Sequence, residues 1–525
     1  MKNYIRETVR LWPSLIFFLL LGPARMLQAQ TTELTNLVLF VRFADDAEID
    51  HSFADIDTMF NGKTPGYFSV SNFYDALTYG KIHYNTVYTN NIQNGVIVSY
   101  QDIYPRGYFQ PYSAENPIGY QEELPFMGVS MREAELLGRV VRYVDSMNWV
   151  SSDVNLDGNG DGLVDNVSFI VKGGTGEWAE LLWPHMEYFP YDSLVDEPRI
   201  NGQKIYTFNF EFEGADSVLF SALVFRHEMG HSLDLPDLYH YMYYDEVTPA
   251  GSWDMMCYGS SLNQTAAIYK NKILHVSDDP IEITEDGDYT LLSVGSSPSQ
   301  NCYYIRSHID PTQWYVLEYR NQEDLFEEGI PGTGLLVARW NDTVTLDYEG
   351  MFANAFFDFY NQANQYWIFR PGSSIDTVNG DIDNAHFSQF VGRTSFGPTT
   401  DPHPYLTDGT PETCFEITDI QVNGSELNFH VHFFDTGVEE FQLDDRFKVW
   451  PNPASDVINV QCTMNNVQVE SIEVYDVYGK IVRTGVETCH GASLQEINVR
   501  DVAPGLYFIR LTTNQGVVTK PFVKK

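Results

Sequence analysis

Two histidines and a glutamate near the middle of the chain have the spacing of a metal-binding helix. His227 and His231 lie four residues apart in the segment 225–237, FRHEMGHSLDLPD, so on a helix both imidazoles project from one face. Glu228 follows the first histidine, which turns its carboxylate out of the ligand direction but leaves it beside any water at the metal. This HExxH spacing predicts a zinc site in which Glu228 is the general base of a hydrolysis.

A catalytic zinc also needs a third protein ligand and an open position for water. Long HExxH motifs supply that ligand just after a tight turn. Asp237 stands ten residues after His227, where such a motif would place it. The nearby alternatives for this ligand are His240, Asp245 and Glu246.

The turn between the helix and Asp237 departs from the long motif, which has glycine where this chain has Asp234. Glycine is used where the backbone must enter the left-handed region, and aspartate is one of the few other residues that tolerates it. We therefore expect a left-handed residue at Asp234.

A second segment, Gly251–Met256 (GSWDMM), resembles the methionine turn that lies beneath the zinc of metzincin-like peptidases, and Met256 is the better match. The alternative is ordinary core filling, because methionine fits irregular gaps anywhere. Tyr258 stands where some of these enzymes place a tyrosine that stabilises the developing oxyanion. Its alternative is a buried structural tyrosine.

The sequences LVFRHEMGHSLDLPDLY and GSWDMMCYG together resemble the M6 peptidases, the immune-inhibitor-A-like family of secreted zinc endopeptidases. The resemblance extends over roughly residues 35–345. It implies an α+β fold with a zincin-type, metzincin-like catalytic domain acting on protein or peptide substrates. It also implies that zinc is held by His227, His231 and Asp237, with catalytic roles for Glu228 and Tyr258.

Two other classes of protein are compatible with these motifs. One is a surface binding or adhesion protein whose peptidase fold has lost activity, although the intact Glu228 argues against it. The other is a zinc hydrolase acting on another bond, such as an amide in a glycan or lipid. The HExxH helix with a methionine turn favours peptide bonds.

A further group of oxygen-bearing side chains lies between residues 153 and 165. Alternating oxygen ligands, with glycines that bend the backbone, are typical of loops that wrap a hard cation. The spacing is like that of an EF-hand, but no glutamate stands at the twelfth position. We expect a structural Ca²⁺ here, with a polar turn as the alternative; the ligands would be Asp153, Asn155, Asp157, Asn159, Asp161 and Asp165.

Composition and length limit the domain organisation. The chain has 525 residues, too many for one core, and its formal charge of -41 disfavours binding to nucleic acid or anionic membranes. Residues 1–29 read as a signal peptide, with basic residues before a short apolar run, and no later stretch is apolar enough to span a membrane. We expect a catalytic domain at 30–275 and a β-rich domain at 276–440.

The last segment, residues 445–525, reads as a separate small β-sandwich of short alternating strands. Its opening PNPAS and its ending APGLYFIRL resemble the C-terminal sorting domain of the type IX secretion system of Bacteroidetes. The resemblance implies export through the periplasm to the cell surface or the medium, with the secretion machinery as a partner. Without it, adhesion or carbohydrate binding would be the default interpretation.

Overall fold

The computed structural model describes residues 31–121, 130–174, 181–190, 194, 197–214, 222–239, 247–257, 262–344, 364–376, 378–434, 447–462, 468–485, 489–490, 493–513 and 516–525. Over these residues the protein has few helices and many strands. Its contacts divide the chain into two compact units, residues 1–183 with 187–219, and residues 184–186 with 220–525. The predicted signal peptide, 1–29, lies outside the described residues. None of the helices that the structure describes combines the length and apolarity needed to cross a membrane.

The first unit is built on a largely parallel sheet around strand β1 (Thr32–Arg42). Residues 34–41 of this strand are buried on both faces, as expected for the centre of a parallel sheet. The sheet order is β2-β1-β7-β11-β8, and β5 also pairs with β1. The other strands of this part of the chain are β2 (Ile82–Tyr88), β3 (Ile92–Gln93), β4 (Val96–Ile97), β5 (Tyr100–Gln101), β6 (Leu163–Val164), β7 (Asn166–Val171), β8 (His185–Tyr188), β9 (Arg199–Ile200), β10 (Gln203–Ile205) and β11 (Thr207–Phe212). The first two residues of β8 are grouped with the second unit.

Three helices accompany this sheet, and each begins at a serine that accepts a hydrogen bond from the backbone N–H three residues on. Such serines satisfy one of the free N–H groups of a helix start. The longest helix, α3, buries an apolar stripe at helical spacing that includes Leu137, Val140 and Val144. The three helices are α1 (Phe53–Asn61), α2 (Val70–Leu77) and α3 (Met131–Ser146).

Strand β2 is at the end of the sheet, and side chains of the neighbouring helices occupy its outer edge. Asn61 accepts a hydrogen bond from the N–H of Thr86 at 2.9 Å and donates one to the carbonyl oxygen of the same residue at 2.8 Å. Ser71 donates its hydroxyl to the carbonyl oxygen of Tyr84 at 2.9 Å. Backbone groups that an edge strand usually exposes are thus bonded within the chain.

The second unit begins with helix α4 (Ala222–His231) and the short helix α5 (Ala267–Lys272). Two sheets, β12-β14-β15-β16-β17 and β13-β19-β18, then share one apolar core. Strand β16 begins at Gly334, three residues after Pro331, which lacks the N–H that a ladder needs. The strands are β12 (Ile281–Glu282), β13 (Gly287–Leu292), β14 (Cys302–Arg306), β15 (Gln313–Arg320), β16 (Gly334–Asn341), β17 (Tyr366–Ile368), β18 (Phe415–Asn423) and β19 (Glu426–Phe433).

The end of the chain forms two further sheets, β20-β21-β25 and β23-β22-β26-β27, with β24 paired to β22. Apolar side chains from both sheets contribute to a core that is separate from the preceding one, for example Ile458, Val474 and Phe522. These strands are β20 (Phe447–Trp450), β21 (Val457–Cys462), β22 (Gln468–Asp476), β23 (Ile481–Gly485), β24 (Cys489–His490), β25 (Ser493–Asn498), β26 (Gly505–Thr513) and β27 (Gly516–Lys524).

Candidate metal centre

Helix α4 carries the two histidines on one buried face. His227 and His231 are only 8 % and 6 % exposed, and their rings lie edge to face with centroids 4.9 Å apart. This is the arrangement that the four-residue spacing predicts. Helix α4 ends at His231, so the two histidines occupy its last two turns.

The carboxylate of Asp237 meets both imidazoles. Its Oδ1 lies 3.1 Å from Nε2 of His227 and 3.2 Å from Nε2 of His231, and its side chain is buried. Ligand atoms around a tetrahedral zinc with bonds of about 2.0–2.1 Å are roughly 3.3 Å apart. Both carboxylate-to-imidazole distances are therefore close to the separation of two ligands on one zinc ion.

The opposite ring nitrogens of both histidines contact backbone carbonyl oxygens. Nδ1 of His227 lies 2.9 Å from the carbonyl oxygen of Met255, and Nδ1 of His231 lies 2.7 Å from that of Leu235. A carbonyl only accepts hydrogen bonds, so each Nδ1 carries the hydrogen and each Nε2 of the neutral ring has a free lone pair. Histidines that bind metals typically have such a partner on the other nitrogen.

A left-handed turn after α4 brings Asp237 back to the helix. Asp234 has a φ of 64°, the conformation that the sequence led us to expect there. The N–H of Asp234 and that of Leu235 donate to the carbonyl oxygens of His231 and Gly230. These bonds satisfy the free carbonyls at a helix end and place the carbonyl of Leu235 against the ring of His231.

The segment around Met255 and Met256 packs directly against the helix. A Cβ at Gly230 would lie 2.9 Å from Sδ of Met256 and 3.0 Å from Cε of Met255, so any larger residue there would require the ends of these methionines to shift. The N–H of Leu238 donates to the carbonyl oxygen of Met256 at 2.8 Å. Met256, the better match to a methionine turn, packs against the helix, and the carbonyl that meets His227 belongs to Met255.

Charge pairing dominates the electrostatics of the cluster. Burial alone would lower the pKa of His227, but the hydrogen bond to Asp237 and the nearby Glu228 raise it to about 9. The pKa of His231 is raised as well, since Asp237 outweighs its burial. Burial would raise the pKa of Asp237, yet the two histidines hold it well below its ordinary range. The cluster therefore favours a positive charge between its three side chains, and a divalent cation would supply that charge in place of a proton.

Glu228 is buried, and a carboxylate oxygen of this residue lies within 4.8 Å of ligand nitrogens of both His227 and His231. That position is next to the three donor atoms. The other candidate residues, Tyr258, His240, Asp245 and Glu246, lie outside the described residues.

Tyr239 is a residue of this site that the sequence analysis did not select. Its hydroxyl is hydrogen-bonded to Asp237, its ring is stacked on that of His227 with centroids 6.4 Å apart, and burial raises its pKa. Its place two residues after Asp237 was a signal that could have been used, because alternate residues of an extended segment return to one side.

In the predicted calcium loop, residues 153–165, carboxylate oxygens accept hydrogen bonds from the backbone of the loop itself. Asp157 accepts the N–H of Asp161 at 2.9 Å, and Asp165 accepts the N–H of Gly158 at 2.8 Å. Within the described part of the chain, the groups of His, Cys, Asp and Glu close enough to share a metal do not include this loop. Its exposed members are Asp153, Asn155, Asn159 and Asp161.

Another group of possible metal ligands in the second unit consists of His308, Glu412 and Cys414. Its carboxylate is already satisfied, since Glu412 accepts hydrogen bonds from Ser307, from His308 and from the N–H groups of Thr413 and Cys414. We therefore interpret it as the anchor of a loop, whereas the donor atoms around Asp237 converge on one point.

Comparison with known protein families gives two matches. Residues 148–278, which include α4, Asp237 and the Met255–Met256 turn, match the model for the immune inhibitor A peptidase M6 catalytic domain. The chain carries an M6 peptidase domain. The M6 match indicates a metallopeptidase. No curated protein matches the chain.

The second match covers residues 448–525 and corresponds to the secretion system C-terminal sorting domain. It coincides with the two sheets formed by β20–β27. This sorting domain indicates export by type IX secretion, to the cell surface or the extracellular space. Together, the M6 domain and the sorting domain describe an exported metallopeptidase.

Proposed function

We propose that the protein is a secreted zinc endopeptidase in which His227, His231 and Asp237 hold the metal. The observation that carries this proposal is the convergence of two Nε2 atoms on one carboxylate oxygen, at 3.1 and 3.2 Å, while both Nδ1 atoms are held by carbonyls. M6 metallopeptidases typically depend on zinc, and the donor set of two imidazoles and one carboxylate suits this ion.

A zinc ion held there would polarise the scissile carbonyl and lower the pKa of a water molecule. Glu228 would accept the proton of the attacking water on its carboxylate and later donate it to the leaving amine. Asp237, with its hydrogen bond to Tyr239, would keep the ligand geometry fixed during both transfers. Tyr258 remains our candidate for stabilising the oxyanion.

Two alternatives are less well supported. An inactive adhesion protein would not need a buried glutamate beside the donor atoms, and burying a carboxylate without use is costly. A hydrolase acting on glycan or lipid amides would need the same zinc chemistry, so the choice of peptide bonds rests on the M6 match.

The decisive experiment compares wild type with Glu228→Gln on casein, with zinc content measured on both proteins. We expect one zinc per chain in each, and a loss of hydrolysis of about 10²–10⁴-fold in the variant, the usual contribution of a general base. Glu282→Gln, at a surface glutamate paired with Arg306, is the control and should keep full activity. Near wild-type cleavage by Glu228→Gln would remove Glu228 from the mechanism. Zinc-loaded wild type that cleaves no protein would favour the adhesion alternative.

A structural Ca²⁺ at residues 153–165 stays a prediction. The loop oxygens accept hydrogen bonds from the loop backbone, so binding would require several of them to exchange these partners for the ion. The four aspartates of the loop repel one another, so a cation there is still favoured on electrostatic grounds.

A further inference from the structure

A buried arginine on strand β15 reaches the turn that supports the metal centre. Arg320 is 1 % exposed. Its Nη1 donates to the carbonyl oxygen of Trp253 at 2.8 Å, and its Nη2 donates to that of Gln264 at 3.3 Å. One guanidinium thus joins the turn to the segment that precedes α5.

Two glutamates fix the guanidinium in this position. Glu327 contacts it at 3.0 Å through Nε and at 2.7 and 2.8 Å through Nη2, and Glu318 lies 3.3 Å from Nη1. Oxygens of these glutamates also accept backbone N–H groups: Oε1 of Glu327 accepts that of Gln264 at 2.9 Å, and Oε2 of Glu318 accepts that of Ala267 at 2.7 Å. The arginine therefore has no alternative position without breaking several charge-assisted bonds.

Asp254, within the turn that contains Met255 and Met256, holds that turn by three further hydrogen bonds. Its Oδ1 accepts the N–H of Met256 at 2.8 Å, and its Oδ2 accepts the hydroxyl of Thr265 at 2.9 Å and the N–H of Ala266 at 2.8 Å. Met255 thus lies between residues that are held on both sides, which fixes the direction of its carbonyl. That carbonyl is the acceptor for Nδ1 of His227.

We propose that Arg320 is a positioning residue for the metal centre, acting through the carbonyl of Trp253 and the turn to set the ring of His227. The proposal rests on the zinc site proposed above and adds to it a residue outside the M6 match at 148–278. A buried ion network adds little net stability compared with apolar packing. Its contribution here is the orientation of a metal ligand, since partners of ligating histidines tune metal affinity.

Arg339 provides a matched control for a test of this role. It lies on the adjacent strand β16, is fully buried and pairs with Asp376. We would compare Arg320→Lys with Arg339→Lys in the full-length protein. The measurements are the melting temperature, the zinc affinity by competition with a chelator, and the visible absorption of the Co²⁺-substituted protein.

Both variants should melt at lower temperature than wild type, because each loses bonds of a buried arginine. Only Arg320→Lys should bind zinc about 10–100-fold more weakly and alter the Co²⁺ spectrum. A folded Arg320→Lys protein with wild-type zinc affinity and spectrum would overturn the proposal, and so would an equal loss of affinity in both variants.

Asp254→Asn serves as a second variant in case Arg320→Lys does not fold. It keeps the size of the side chain but weakens the bonds to Thr265 and Ala266, and it should show the same loss of zinc affinity. Unchanged zinc affinity in Asp254→Asn would also count against positioning through this turn. Absence of zinc binding in wild type would instead contradict the proposed function itself.

Discussion

Gly230 and Met256 are in contact across the candidate metal centre, and a Cβ on Gly230 would lie only 2.9 Å from Sδ of Met256. The helix that carries the two histidines is therefore in close contact with the turn that supports one of them. This contact links the geometry of the ligands to the packing of two methionines.

We predict that Gly230→Ala lowers both the melting temperature and the zinc affinity. Alanine would normally stabilise a helix interior by about 1 kcal/mol relative to glycine, so a loss of stability would show that the clash with Met255 and Met256 dominates. Thermal melting and chelator competition measure the two effects. The loss should be smaller when alanine is added in a Met256→Ala background. A more stable Gly230→Ala protein would show that Met255 and Met256 move aside at little cost in free energy.

Removal of the Asp237 charge should release the metal. Asp237→Asn keeps the volume but gives up the carboxylate that faces both Nε2 atoms. We expect zinc affinity to fall by more than about 100-fold, because even residues that only support a ligand contribute about 10–100-fold. Asp245→Ala and Glu246→Ala are the matched tests of the alternative ligands. Retention of one tightly bound zinc in Asp237→Asn would transfer the role to another residue.

The left-handed conformation of Asp234, with φ of 64°, predicts an unusual order of stability. Asp234→Gly should be as stable as wild type or slightly more stable, because glycine adopts this conformation without strain. Asp234→Ala should be less stable by about 1 kcal/mol, the lower end of the cost for a side chain that lacks a local hydrogen bond. Melting temperatures of the three proteins decide the matter. Equal stability of the glycine and alanine variants would mean that the turn changes conformation.

Lys270 should make stability depend on pH. Burial lowers the pKa of its ammonium group from 10.5 to about 7. Below pH 7 the folded protein carries the full cost of a buried charge, and between pH 7 and 10.5 the unfolded chain binds more protons, so stability rises with pH. Relative to Lys270→Met, wild type should gain about 1 kcal/mol between pH 6 and pH 8.

The measurement is the melting temperature of each protein at pH 6, 7 and 8. Lys272→Met, at an exposed lysine of the same helix, is the control and should follow the wild-type profile. A constant difference between wild type and Lys270→Met at all three values would show that Lys270 stays charged throughout.

Calcium binding at residues 153–165 is also tested by melting temperature, measured with and without the ion. Millimolar Ca²⁺ added to zinc-loaded protein should raise the melting temperature, by an amount equivalent to about 3 kcal/mol at a hundredfold excess over Kd. Asp157→Ala combined with Asp161→Ala should abolish the rise, and Mg²⁺ should be a poor substitute because it requires a stricter geometry. An unchanged wild-type melting curve would leave this segment a polar turn.

The parts of the site that sequence could predict depend on local spacing. The approach of His227 and His231 follows from the period of a helix, and the left-handed Asp234 follows from its position where the long motif has glycine.

The supporting contacts could not be predicted in this way. The carbonyl of Met255 meets His227 across 28 residues, and Arg320 reaches Trp253 across 67. Carbonyl groups are present at every residue, so no residue type marks the one that points at a ligand. An arginine within an apolar strand does signal a buried partner, but its identity depends on the packing of the whole unit.

The sealed edge of β2 limits how other chains can associate with the protein. Asn61 occupies both hydrogen-bonding groups of Thr86, and Ser71 occupies the carbonyl of Tyr84. An extended peptide, whether a substrate or a second copy, would have to displace Asn61 and Ser71 from these backbone groups to add a strand there. For a protein that crosses the periplasm, this blocks one route by which neighbouring copies aggregate before export.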